Sequence, residues 1–296
     1  MGEPADRARF RVHHLRLFAA DGAEDELRAV AADLVARIRP AGRADLVEAV
    51  LRPLPMRTVL GRLGLDPGLA DDLGAHAATA RLLHGVVLDN GDQVRSAQAM
   101  AALWQACRAA VAAQPADGPL AGVGDVDDRT ELVVQAVLSG PASTTALLGN
   151  ALLRLLGTPD WDALAADPAR LDGLVDDCLR HATPVVLWRR EATKAVTVDG
   201  AALPAGARVL VHLGAANREP GPPLTFGSGA HACPGADLVR AHLRAVLATL
   251  AAQLPGLRRE PGPAPALTRE IGLHGPTELS VTWDRSATPV NVPAQR

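Results

Sequence analysis

A single cysteine, Cys233, stands in "LTFGSGAHACPGADLVR" (224–240), a glycine-rich loop at the threshold of a helix. Such a thiol could be a nucleophile, a redox switch, a metal ligand or a packed core residue. A phosphatase-type nucleophile needs an arginine six positions on, but position 239 is valine and Arg240 comes one residue late. Gly227-Ser228-Gly229-Ala230-His231-Ala232 formally fits GxGxxG/A, yet no strand precedes it and the helix after it exits into "LRREPGPAPA". No GxSxG elbow or cysteine-protease signature is present, and zinc wants more ligands than His231 and Cys233. An inert buried cysteine is the commonest fate of a lone Cys, but it does not account for the glycines packed before it.

A thiolate offered to a metal remains. Glycines at 227, 229 and 235 let backbone approach closely and leave N–H groups free to point at sulfur. A helix starting near Pro234 would present its positive end to Cys233 and lower the thiol pKa. Such a ligand suits haem iron.

The elements that must position this loop are mostly helical. "EDELRAVAADLVARI" (24–38) carries Leu27, Val30, Ala31, Leu34 and Ile38 on one face. In 44–65, Pro53 and Pro55 divide two helical pieces, and 95–113 is an Ala-rich helix. Residues 116–128 read as a surface loop. Residues 131–156 are apolar nearly all round, as in a buried helix, and Gly140-Pro141 in their middle predicts a kinked or opened turn. After a helix ending near Arg180, residues 194–214 alternate and carry Asp-Gly and Pro-Ala-Gly turn signals, so they read as strands and hairpins. A helix over 234–254, a strand at 279–284 and a loose tail from Ser286 complete the reading. The expected fold class is mainly α with small β-sheets (α+β), and the expected organisation is one domain over 1–296.

The composition bounds the function. The chain has 296 residues, 48% of them hydrophobic, and a net charge of -3, which argues against a nucleic-acid partner. Basic residues are almost all arginine, with Lys194 the only lysine. Cys107, Cys178 and Cys233 lie far apart, without CxxC pairing or a disulfide framework. There is no signal-peptide pattern, and the longest apolar candidate, Thr145–Leu156, is interrupted by Asn150 and Arg154. These features predict a cytoplasmic protein with no membrane span.

Phe226 to Gly235 resembles the FGxGxHxCxG haem-ligand loop of bacterial cytochrome P450 enzymes. "LLGNALLRLL" (147–156) is similar to the end of that family's long central helix, and 183–220 to the segment between its two proline-side motifs. The resemblance covers roughly residues 7–285. It implies a truncated cytochrome P450-like fold holding haem b (iron protoporphyrin IX), with Cys233 as the axial ligand to iron. It further implies that Arg11, Arg190 and His231 bind the propionates and that Phe226, Gly227, Gly229 and Gly235 shape the loop and shield the sulfur. Leu138, Ser139, Gly140, Thr183, Val186 and Leu187 would line the substrate pocket. Arg240, His242 and Arg244 would be contacts for a ferredoxin-type electron donor.

Departures from the family pattern accompany the resemblance. Its acid–alcohol pair falls on Ala142 and Ser143, with Thr144 next, so hydroxyls remain at Ser143 and Thr144 but no carboxylate. Its ExxR pair reads Asp177-Cys178-Leu179-Arg180. Only "GPPLT" separates Pro220 from Phe226, where the family has a longer meander, and the family histidine near the start is Arg7 here. The family's N-terminal sheet region has no counterpart. The implied activity is a haem-thiolate oxidoreductase, a monooxygenase or related oxidation acting on a small, largely apolar metabolite in specialised biosynthesis. Peroxide-driven or non-oxygenating chemistry is one alternative. Another is a non-catalytic accessory protein that binds a ligand or a partner enzyme, with a partner chain or homo-oligomer supplying what the chain lacks.

Overall fold

The computed structural model describes residues 4–84, 89–268, 270 and 272–286. Helices α1 (Pro4–Leu17) and α2 (Ala23–Ile38) are followed by a short strand, β1 (Arg43–Asp45), and a π-helical turn over Val47–Leu51. Then come α3 (Pro53–Arg62), α4 (Ala70–Ala80), α5 (Asn90–Ala112) and the central α6 (Val126–Leu155). Helices α7 (Pro159–Ala166) and α8 (Leu171–His181) lead into β2 (Leu187–Glu191), β3 (Val196–Val198), β4 (Ala201–Leu203) and β5 (Arg208–His212). The described residues end with α9 (Leu213–Ala216), α10 (Ala236–Gln253), β6 (Arg258–Arg259) and β7 (Ser280–Thr282). All strand pairs are antiparallel, in sheets ordered β1-β7-β6, β2-β5 and β3-β4. The expected mainly α architecture with small sheets is what the structure has.

The core forms where apolar stripes meet. Leu27, Ala31, Leu34 and Val35 of α2 are buried, and α2 packs along α10, whose residues 241–252 are buried almost without a break. Helix α6 adds Leu132, Val133, Val137, Leu147, Leu148 and Leu152. By length and composition α6 could cross a membrane, but 61% of its most apolar window is buried inside the protein, as befits a core helix.

Local chemistry fixes the element ends. The Asp125 carboxylate accepts from the N–H groups of Asp127 and Asp128, both at 2.9 Å, so α6 starts at Val126 and the preceding loop is shorter than predicted. Asp89 caps α5 by accepting from Asp92 N–H at 2.6 Å, which starts that helix five residues before the predicted position 95. Asp199 (φ 48°) and Gly200 (φ 78°) turn β3 into β4, as the Asp-Gly signal predicts. Residues 44–65 depart from two plain helical pieces, because Arg43–Asp45 pairs with β7 instead. Residues 287–296, most of the predicted loose tail, lie outside the described residues.

The predicted opening at Gly140-Pro141 is not found: α6 runs through Pro141 without interruption. Proline has no N–H to give the Val137 carbonyl, but its fixed φ is compatible with a helix. The next turn supplies hydroxyl donors, Ser143 to the Ser139 carbonyl at 2.7 Å and Thr144 to the Gly140 carbonyl at 2.9 Å. Nor is the helix apolar all round. Glu131, Gln135, Ser139 and Ser143 recur every fourth residue and form a stripe that is exposed or half-buried.

The segment before β7 is pressed onto α6 by two glycines. A Cβ at Gly275 would fall 2.5 Å from Ala146 Cβ and 2.6 Å from its Cα, and one at Gly149 would fall 2.5 Å from Pro276 Cγ. Because backbone cannot yield as a side-chain tip does, Gly275→Ala is expected to destabilise the protein by about 1–3 kcal/mol. Urea unfolding followed by circular dichroism measures this as a lowered midpoint with an unchanged m-value.

Candidate functional site around Cys233

The cysteine loop is a closed turn. Cys233 N–H donates to the Phe226 carbonyl at 2.8 Å, Gly227 N–H to Leu224 at 2.8 Å, and Ala232 N–H to Gly229 at 3.0 Å. Gly227 (φ 67°) and Gly229 (φ 68°) occupy the left-handed region, which explains the glycines at these positions. Phe226 packs half-buried against the core, with the Arg240 guanidinium 5.6 Å above its ring. From α1, Arg11 donates to the Ala232 carbonyl at 2.8 Å, tying the start of the described chain to the residue before the cysteine.

Cys233 is exposed as a residue, while surrounding protein atoms strip water from its thiol. Desolvation pushes the Cys233 thiol pKa up, and the Gly235 N–H and the Arg11 charge only partly offset this. The expected net lowering by a helix end is therefore corrected: α10 starts at Ala236, and burial outweighs the favourable groups. Binding a metal would have to displace the thiol proton. Cys107 and Cys178 are fully buried, with pKa values pushed up to about 11 and about 12 by desolvation, as packed structural thiols.

His231 is exposed in the short turn Gly229–His231, two residues from the sulfur, so His231 and Arg11 flank Cys233. Arg190, on β2, donates to the Arg189 carbonyl at 2.9 Å, and its guanidinium sits 5.3 Å from the Trp188 ring centroid. Arg7 is in α1, and its side chain lies outside what the structure describes.

The predicted Asp177–Arg180 pair is replaced. Arg154 of α6 takes the Asp177 carboxylate through two nitrogens, one at 3.1 Å, and His181 stands 3.7 Å away. Arg180 instead donates to the carbonyls of Asn217 at 3.0 Å, Glu219 at 3.2 Å and Gly221. The aspartate, a methylene shorter than glutamate, is held by the neighbouring helix, and Arg180 secures the chain entering the cysteine loop.

Around the expected pocket, Leu138, Gly140, Val186 and Leu187 are half-buried and Ser139 is exposed. Thr183 is buried, with its Oγ1 lacking any hydrogen-bond partner. Asn150, read from sequence only as an interruption of an apolar run, joins these parts. Its amide donates to the His274 carbonyl at 2.8 Å and the Ala182 carbonyl at 3.3 Å, pinning the approach to β2 against α6. Val186 N–H and the Pro184 carbonyl complete the link to residues 272 and 274. A polar side chain inside a long apolar stretch was the available signal.

Of the three expected donor contacts, burial rules out His242, while Arg240 and Arg244 remain partly exposed in ion pairs. Arg240 pairs with Asp176 at 3.1 Å, and Arg244 pairs with Glu24 and Asp172. His242 is fully buried, donating from Nδ1 to the Leu238 carbonyl, and desolvation holds its pKa down at about 4. It is a packed neutral histidine, not a surface contact.

The donor set fits haem: one soft sulfur presented by a glycine turn, a backbone N–H directed at it, and cationic side chains at hand for carboxylates. No family model matches the sequence. Cytochrome P450 144 of Mycobacterium tuberculosis is 34% identical over 71% of this chain and 55% of its own length. Mycinamicin IV hydroxylase/epoxidase of Micromonospora griseorubida is 28% identical over 95% of this chain and 78% of its own. The solved structure of CalO2 superposes with a TM-score of 0.88 at 27% identity, covering 97% of this chain and 80% of that one. The chain therefore belongs to the cytochrome P450 family, and spans only about half the length of the first of these relatives.

If Asp177 and Arg180 act apart, their removals should differ and should not couple. Arg180→Ala is expected to cost about 2–3 kcal/mol through three charge-assisted carbonyl contacts. Asp177→Asn, at a partly exposed pair, should cost less than about 1 kcal/mol. A double-mutant cycle by urea unfolding should give a coupling near zero for Asp177 with Arg180 and a measurable one for Asp177 with Arg154.

Proposed function

We propose that this protein is a haem-thiolate oxidative enzyme of monooxygenase type, acting in the cytoplasm on a small, largely apolar metabolite. The observation that carries the reading is the Cys233 turn, closed on the Phe226 carbonyl and braced by Arg11, with Cys233 exposed. The erythromycin C-12 and 6-deoxyerythronolide B hydroxylases, 29% and 26% identical to this chain, support a metabolite substrate.

In this reading Cys233 ligates the iron of haem b, which when bound supplies the one-electron and dioxygen chemistry that the side chains lack. Gly235 N–H and Arg11 hold negative charge on the sulfur against the desolvation that opposes it. His231 and Arg11 meet the propionates, with Arg190 joining them if its guanidinium leaves the Trp188 ring. Half-buried Leu138, Val186 and Leu187 would offer an apolar substrate aliphatic surface, and the unpartnered Thr183 hydroxyl could meet one polar group on it. Ser143 and Thr144 donate to helix carbonyls, and Ala142 offers no carboxylate, so proton supply falls to a Ser143 hydroxyl that reorients with bound water. A ferredoxin-type protein is the proposed electron donor.

Purified protein reconstituted with haem, reduced and exposed to carbon monoxide should give the strongly red-shifted Soret band of a thiolate-ligated haem. That band should be absent in Cys233→Ala, whose thermal unfolding should stay close to that of the parent. Failure to take up haem under any reconstitution, or an unchanged band in the variant, would contradict the proposal.

A further inference from the structure

A second concave surface lies at the far end of α10. Helix α10 begins three residues after Cys233 and has 18 residues, so it runs about 27 Å to its last residue, Gln253. Gln253 lines an open groove of about 1270 Å³, walled by the end of α2, β1, the end of β7 and Arg258 of β6. No residue of the cysteine loop, α6 or α8 lines it.

Four arginines converge there: Arg39, Arg43, Arg258 and Arg285. The sheet register makes two of them neighbours. Arg43 and Arg258 both stand opposite Thr282, one on each side of β7, so they leave the same face with Cα atoms roughly 10 Å apart. Arg285 lies flat over Gly42, whose φ of 74° and missing Cβ leave room for its stem 2.8 Å from where a Cβ would stand. Among the described residues none of the four forms an ion pair, whereas Arg28, Arg154 and Arg244 each hold a carboxylate. Among the described residues Asp284 is the only acid lining the groove, and its Oδ1 accepts from Ser286 N–H and Oγ.

This arrangement runs against the average of the molecule, whose net charge is -3. Solvated arginines about 10 Å apart and without carboxylate partners add no attraction to the fold, so the cluster is not explained as a folding device. Its arginines are long, at least partly solvated and spread over two strands, a helix end and the bend after β7, with no buried donor aimed at one point. That suits a row of carboxylates on an extended surface better than a single enclosed anion.

We propose that the Arg39–Arg43–Arg258–Arg285 groove docks the acidic face of a partner protein, separate from any donor contact at the cysteine loop. Docking at the far end of α10 leaves Cys233 uncovered.

The test is fluorescence anisotropy of a labelled decaglutamate peptide with the full chain at low salt. Saturable binding is expected, weakened at least about tenfold by Arg43→Glu/Arg258→Glu and by raising salt from about 50 to about 500 mM. Arg43→Gln/Arg258→Gln removes both charges from exposed positions without adding new ones and so keeps the fold; it should weaken binding in the same direction. Arg189→Glu/Arg208→Glu, an equal charge change on β2 and β5, should leave binding intact. The proposal is overturned if the peptide does not bind or if both glutamate double variants weaken it alike. It is also overturned if inorganic polyphosphate or a single-stranded oligonucleotide displaces the peptide at far lower concentration and depends on Arg43 and Arg258.

Discussion

The backbone N–H of Cys233 donates to the Phe226 carbonyl, and the Arg11 guanidinium, 221 residues away in sequence from Ala232, donates to the carbonyl just before the cysteine. Together these two bonds hold Cys233 in place while leaving it exposed, a combination that neither a flexible loop nor a packed core provides. Much of the structure serves them. Phe226 anchors one end of the turn in the core, α10 carries the other, and Arg180 grips the backbone that leads in. Positive φ at Gly227 and Gly229 lets so tight a turn form.

The electrostatics of the site are a contest between burial and a few fixed dipoles and charges. Burial wins for the thiol, so in this structure the protonated form is favoured and ligation is coupled to proton release. At Cys107 and Cys178 nothing of weight opposes burial, and those thiols stay inert. The same comparison separates His231, exposed beside the sulfur, from His242, sealed in the core with its pKa held down. Residue type alone does not distinguish the two histidines; position relative to α10 does.

What could be read from the chain was what is local. The cysteine turn, the Asp-Gly hairpin and the amphipathic stripe of α2 depend on neighbours within a few residues, and all three are present. What escaped depends on distant partners. Asp177 is captured by Arg154, 23 residues earlier on another helix, and Arg240 and Arg244 are held by acids from other helices. Residues 43–45 become a strand because β7 arrives from the other end of the chain. Pro141 was misjudged because the loss of one backbone bond is tolerated inside a helix packed along most of its length. Asn150 was seen but not understood, since its two carbonyl partners come from segments with no sequence pattern linking them to α6.

The central claim, that Cys233 is an iron ligand, is tested most directly by iron K-edge X-ray absorption of the haem-loaded protein. One sulfur neighbour of the iron is expected in the parent and none in Cys233→Ser. An iron surrounded only by nitrogen and oxygen in the parent, or a sulfur neighbour that survives the substitution, would contradict it.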